Sequence, residues 1–372
     1  MIENPLIKLK TLGQSIWLDY IRRELITSGE LQKLIEKDGL CGMTSNPSIF
    51  EKAIAESQIY DSDIHELDRQ KKDAKTIYES ISQLDVRNAA DVFRNVYEKT
   101  NGRDGYVSLE VNPHLAHDTK VTIEEARRLW AALNRPNVLI KVPATSECLP
   151  AIQQLISEGV NVNVTLLFGL SRYRQVIEAY IAGLEERVTL GKSVENISSV
   201  ASFFLSRIDS LIDPLIENFI DPSGEQTEIA QKIHGQVALA SAKIAYKIYK
   251  EIFDSDRFKK LADNGALSQR LLWASTSTKN PDYSDIKYIE SLIGQDTVNT
   301  VPPETINAYR NHGNPELRLE QDVEEANWVI ARLPDFNINI NQITQKLEDE
   351  GIKIFINSFD KLMESLTKKT SE

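Results

Sequence analysis

The stretch Asn137-Val-Leu-Ile-Lys141-Val-Pro143-Ala-Thr145, continued by Leu149-Pro-Ala-Ile-Gln-Gln-Leu-Ile-Ser157 and Val160-Asn-Val-Asn-Val-Thr165, decides the fold. Its first part is a run of aliphatic residues closed by Val142-Pro143, the pattern of a buried strand. Its middle repeats apolar residues at i, i+3 and i+4, the pattern of a short helix. Its last part is a second β-branched run. Two strands joined by one helix form a minimal strand-helix-strand unit, and such a crossover makes the strands parallel.

The same alternation runs outward in both directions. Short apolar or β-branched runs occur at Ser15–Asp19, Leu40–Thr44, Tyr106–Glu110, Val138–Val142, Val160–Thr165, Val200–Phe204, Arg270–Ser275 and Thr297–Val301. Helical periodicity fills gaps between them, as in Ile123–Leu133 and Arg172–Arg187. Strands alternating with helices imply an α/β protein with a parallel sheet, and eight strands point to a closed (β/α)8 TIM barrel. Residues 48–100 and 209–264 are too long for single helices and are expected to be helical insertions; residues 323–366 should add C-terminal helices against the barrel. With no repeat, low-complexity segment or Pro/Gly-rich linker, residues 1–372 read as a single domain.

Composition narrows the function. The chain is 41% hydrophobic and 26% charged, enough apolar residues for a large core. No apolar segment has the length of a membrane span, and the N-terminus has no basic stretch followed by an apolar one, so a cytoplasmic location is expected. Cys41 and Cys148 are too few for a disulfide framework or a zinc cluster. A net charge of −12 argues against a nucleic-acid partner, and an anionic metabolite would need a local basic pocket.

Lys141 stands alone as a basic side chain within its apolar strand. Burial of an amine favours its neutral form, and a neutral lysine can attack a carbonyl to form a Schiff base. In a barrel the reacting groups lie at the C-terminal ends of the strands. Those positions are polar here: Asp19, Thr44-Ser45-Asn46, Glu110, Lys141, Asn163 with Thr165, Ser202 with Arg207 beyond it, and Ser275 leading to Lys279.

Local alternatives stand beside these assignments. Asp19 can cap the helix that follows it, and Asn46-Pro47 is equally good helix-start chemistry. Arg207 and Lys279 can be solvated surface charges. Glu110 is harder to place as scaffold, because a carboxylate in an apolar strand needs a partner or a raised pKa. His114-Leu-Ala-His117 has the spacing of metal ligands, but Asn112-Pro113 breaks the chain before it and no zincin-type glutamate follows, so no metal is expected. No glycine-rich phosphate loop occurs.

Gly42-Met-Thr-Ser-Asn-Pro-Ser-Ile-Phe50 and Asn137–Thr145 together resemble the transaldolase family, the second being similar to the strand that carries its Schiff-base lysine. Trp17-Leu-Asp19, Val107-Ser-Leu-Glu110, Asn161–Phe168, Ser202-Phe-Phe204 and Ser206-Arg207-Ile-Asp209 extend the match, and Trp273–Pro281 resembles the longer bacterial subfamily. The resemblance implies transfer of a dihydroxyacetone unit between sugar phosphates with no cofactor, by a monomer or homodimer. It assigns Lys141 as nucleophile, Glu110 and Thr165 to proton exchange through a water, and Asp19 as the base for carbon–carbon cleavage. Asn46, Asn163 and Ser202 would bind sugar hydroxyls, Phe204 would shield the carbanion, Arg207 would hold phosphate, and Thr44 and Ser275 would also contact the substrate. The family's second phosphate-binding arginine has no counterpart, since Thr276 and Ser277 follow Ser275, and Lys279 is expected to supply the charge. The alternatives are a fructose 6-phosphate aldolase or another Schiff-base aldolase, and a noncatalytic sugar-phosphate binding protein.

Overall fold

A computed structural model of the chain describes residues 4–221, 224 and 226–370. Eight parallel strands close into a barrel in sequence order: β1 (Gln14–Asp19), β2 (Gly42–Thr44), β3 (Tyr106–Glu110), β4 (Val138–Pro143), β5 (Val162–Leu167), β6 (Ser199–Phe204), β7 (Arg270–Ala274) and β8 (Thr297–Val301). Closure is made by β8 pairing with β1, with Leu18 opposite Val301. Helices surround the barrel, so almost every strand residue is buried, which explains why the strands read as apolar runs instead of alternating ones.

Several strand ends differ from expectation by one or two residues, and three have a local reason. β2 begins at Gly42, where the backbone passes so close to Trp17 that a Cβ would lie 2.6 Å from the indole. β7 stops at Ala274 because Ser275 has φ +54°, which turns the chain out of the sheet. β5 continues past Thr165 through a register shift between Val164 and Leu167, with Leu166 at φ +55°.

The first insertion forms helices Pro47–Ala55, Asp61–Arg69 and Ala74–Lys99. The second forms Ser206–Glu217, Thr227–Ile233, Val237–Phe253 and Asp256–Ala262. Beyond Val323–Arg332, the last helix, Ile340–Lys369, meets β5, the turn after β3 and helix Pro47–Ala55, which puts it across the C-terminal mouth of the barrel. The opposite end is plugged by Arg270, whose guanidinium reaches Asp104 at 2.9 Å while Ser15 and Trp17 also donate to that carboxylate. Among the described residues no helix is long and apolar enough to cross a membrane.

Candidate active site

Neighbouring strands in register bring the central pair together. Glu110 on β3 is the Cα partner of Lys141 on β4, and Lys141 is the partner of Asn163 on β5. Lys141 Nζ lies 3.2 Å from Glu110 Oε2, with side chains only 5% and 3% exposed. The contact is an ion-pair approach without hydrogen-bond alignment; the amine instead donates to Ser45 O at 3.0 Å. Burial pushes the Glu110 carboxyl above the usual carboxylate range, Lys141 opposes that shift, and Asp19 adds to it. Both Glu110 oxygens and Thr165 Oγ1 are buried and make no hydrogen bond among the described residues.

Asp19 ends β1 on the other side of Lys141. Thr44 Oγ1 donates to Asp19 Oδ1 at 2.7 Å, and Thr300 Oγ1 lies 2.7 Å from Thr44 Oγ1. The Thr44 proton is committed to Asp19, so Thr300 is the donor in that second contact. Desolvation by the surrounding protein raises the Asp19 carboxyl even though its edge keeps some solvent contact, while Lys141 and the Thr44 hydroxyl pull it down.

These groups border a cavity of about 200 Å³ at the C-terminal ends of the strands. Arg207, at the start of the helix after β6, is half-buried, and burial lowers its guanidinium from the ordinary value. It makes no ion pair or hydrogen bond among the described residues. Lys279 is exposed at the rim and donates to Ser277 Oγ at 2.7 Å. Desolvation and then Arg207 lower its ammonium, while Glu304 and Asp19 raise it; its contact with solvent softens each effect. Two cations thus share one side of the cavity, an arrangement suited to an anion.

The family model described as transaldolase/fructose-6-phosphate aldolase matches residues 16–366. The chain belongs to this family. A transaldolase of Trichodesmium erythraeum is 50% identical over 100% of this chain and 99% of its own length. A transaldolase 2 of a Nostoc species is 51% identical over 99% of this chain and 98% of its own, and a transaldolase of Thiobacillus denitrificans is 44% identical over 95% and 96%. Relatives of that name over the whole chain, on a closed eight-stranded barrel, support an enzyme of the transaldolase type.

Within this transaldolase-family barrel, all the residues given a catalytic or substrate-binding role from the sequence border the cavity except Glu110 and Asn163. Glu110 sits behind Lys141. Asn163 is fully buried, its amide donating to Ser108 Oγ at 3.1 Å and accepting from Ser202 Oγ at 2.6 Å. It therefore holds Ser202, which does line the cavity. Asn46 borders the cavity, and its Oδ1 accepts from Ile49 N and caps helix Pro47–Ala55. Ser275 Oγ is 2.8 Å from Ser206 Oγ, tying the turn after β7 to the residue before Arg207. Phe204 is backed by Phe168, ring centroids 5.2 Å apart. The histidines are turned to different carboxylates, His114 to Asp360 at 2.7 Å and His117 to Glu147 at 3.4 Å.

Thr300, Glu304 and Phe355 also line the cavity and were missed. Thr300 lies at the end of β8, where the strand-end rule that picked out Asp19 and Glu110 would have found it. Phe355 carries no comparable signal, because its helix shows only ordinary apolar periodicity.

Proposed function

We propose that the chain transfers a dihydroxyacetone unit from sedoheptulose 7-phosphate or fructose 6-phosphate to glyceraldehyde 3-phosphate or erythrose 4-phosphate, through a Schiff base on Lys141. This is a step of the non-oxidative pentose phosphate pathway. The observation that carries the reading is the buried Lys141–Glu110 pair at the edge of a cavity that also holds Asp19. Glu110, raised by burial, can accept the lysine proton and leave a neutral nucleophile. The amine adds to C2 of the donor, and Glu110 with Thr165 passes protons through a water as the carbinolamine dehydrates; buried oxygens on both that make no hydrogen bond among the described residues support that role. Asp19 then takes the C4 hydroxyl proton, the C3–C4 bond breaks, and its electrons enter the iminium. The carbanionic unit adds to the acceptor aldehyde, and hydrolysis frees Lys141.

Thr44, Asn46 and Ser202, the last held by Asn163, are assigned to the sugar hydroxyls, and Phe204 to shielding. Arg207, Ser275 and Lys279 are assigned to phosphate, Arg207 because a guanidinium can bind it bidentately. We place the enzyme in the cytoplasm as one catalytic domain, a monomer or homodimer, with no cofactor or metal. Borohydride reduction in the presence of fructose 6-phosphate tests the covalent step: a stable adduct on Lys141 is expected, and none forms on a binding protein. A coupled assay with and without erythrose 4-phosphate separates transfer from an aldolase that cleaves its donor at full rate alone.

A further inference from the structure

The last helix, Ile340–Lys369, is fastened on several sides of Lys141. Glu348 pairs with Arg172 of the helix after β5 at 3.3 Å. Ser358 Oγ meets Ser48 Oγ of the helix after β2 at 2.7 Å, and Asp360 meets His114 in the turn after β3. Between these anchors Gly351 lies against Leu166, where a Cβ would stand 3.0 Å from Leu166 Cδ2. The missing side chain lets the helix settle on the bulge that follows Thr165.

One turn on, Phe355 faces the cavity while remaining only 4% exposed. Its ring centroid is 6.0 Å from Lys141 Nζ. The other aromatic ring bordering the cavity, Phe204, comes from β6. The reacting nitrogen therefore has an apolar wall supplied by the far end of the chain.

This placement points to Phe355 as a specificity-determining residue, whose ring keeps water from the three-carbon intermediate on Lys141 and so favours transfer over release. The inference rests on the transaldolase reading and extends it to the last helix. After C3–C4 cleavage the unit is an enamine, Lys141 nitrogen bonded to C2 and C2 doubly bonded to C3. If water reaches it, C3 takes a proton from water and the C2–C3 double bond becomes an iminium. Hydroxide then adds to C2, the C2–N bond breaks, and the amine recovers its proton. The net change is enamine plus one water to dihydroxyacetone plus free lysine. An apolar ring beside the nitrogen hinders the first encounter, protonation of C3, which is the step that separates release from transfer; hydrolysis at C2 is common to both routes.

The test is the ratio of dihydroxyacetone released from fructose 6-phosphate alone to transfer onto erythrose 4-phosphate, with borohydride trapping in parallel. Phe355→Ala should still trap donor and raise the ratio about tenfold or more. Phe355→Leu, which keeps apolar bulk, should trap donor and raise it less. A wild-type ratio in either variant that still traps donor overturns the inference, as does loss of trapping in both, which would mark Phe355 as structural. Failure of the wild type to form any adduct is distinguishable, because it defeats the Schiff-base reading itself.

Discussion

Glu110 and Lys141 face each other from adjacent strands, Oε2 3.2 Å from Nζ, at a position where neither side chain is more than 5% exposed. Register alone produces this approach, since the two residues are Cα partners in the β3–β4 ladder. The arrangement gives the amine a proton acceptor whose affinity burial has already raised. It also means that the lysine has a structural role: it is the counter-charge for a buried carboxylate.

Lys141→Ala should therefore abolish turnover and trapping and also change the pH dependence of stability. Without the amine, the Glu110 carboxyl rises further. A raised carboxyl stabilises the folded state fully below its unfolded value, and that contribution is lost as pH rises through the folded value. The stability gap between wild type and variant should widen from acid toward neutral pH, reaching about 3 kcal/mol when a buried partner is left unpaired. Urea denaturation at several pH values measures it, and a constant gap would contradict the pairing.

The Thr300–Thr44–Asp19 chain predicts a kinetic signature. Asp19→Asn should slow carbon–carbon cleavage about a hundredfold or more, with donor accumulating as a trapped but uncleaved adduct. Glu110→Gln should instead slow adduct formation. Thr44→Val removes the hydrogen bond that favours the charged Asp19, so its already raised carboxyl moves up again. The acid limb of the kcat/KM profile, where Asp19 gains a proton as pH falls, should shift to higher pH. An unmoved limb would mean that another group sets it.

Much of this geometry was legible in the residues. Strand runs such as Tyr106–Glu110 and Thr297–Val301 are recognisable because both faces are buried, and polar residues at their C-terminal ends collect at one mouth. What was not legible depends on tertiary packing. Asn163 reads as a ligand-binding residue, and its bonds to Ser108 and Ser202, made across three strands at once, have no counterpart in the sequence pattern. Phe355 lies more than two hundred residues from Lys141 in sequence, and only docking of the last helix on Leu166 and Ser48 decides which face looks inward. The left-handed Ser275 shortens β7 without any glycine or asparagine to announce it.

The plug at the far end of the barrel should separate stability from catalysis. Arg270→Met leaves Asp104 buried with only Ser15 and Trp17 as side-chain donors. The variant should lose about 3 kcal/mol in chemical denaturation while keeping its KM for sugar phosphates, since Arg270 is remote from the cavity. Adding Asp104→Asn should recover part of the loss. A changed KM with unchanged stability would contradict this assignment.

Phosphate recognition is where charge placement is most demanding. A dianion approaching a chain of net charge −12 is repelled at long range, so its binding must rest on a few cations at the mouth. Arg207 lies close enough to lower the Lys279 ammonium, a repulsion that a bound phosphate would relieve. Arg207→Ala should raise KM for phosphorylated donors about ten- to hundredfold, the equivalent of about 1.5 to 3 kcal/mol for hydrogen bonds to a charged group. Lys279→Ala should act in the same direction but more weakly, because its ammonium is exposed and screened. Because binding of phosphate relieves the repulsion between the two cations, each single change also removes that relief, so the effect of the double variant should be less than the product of the two single effects. Fructose, which has no phosphate, is the control, and its poor turnover should hardly change in either variant. If Lys279→Ala leaves KM for phosphorylated donors unchanged, the turn after β7 does not bind phosphate and Arg207 works with a different partner.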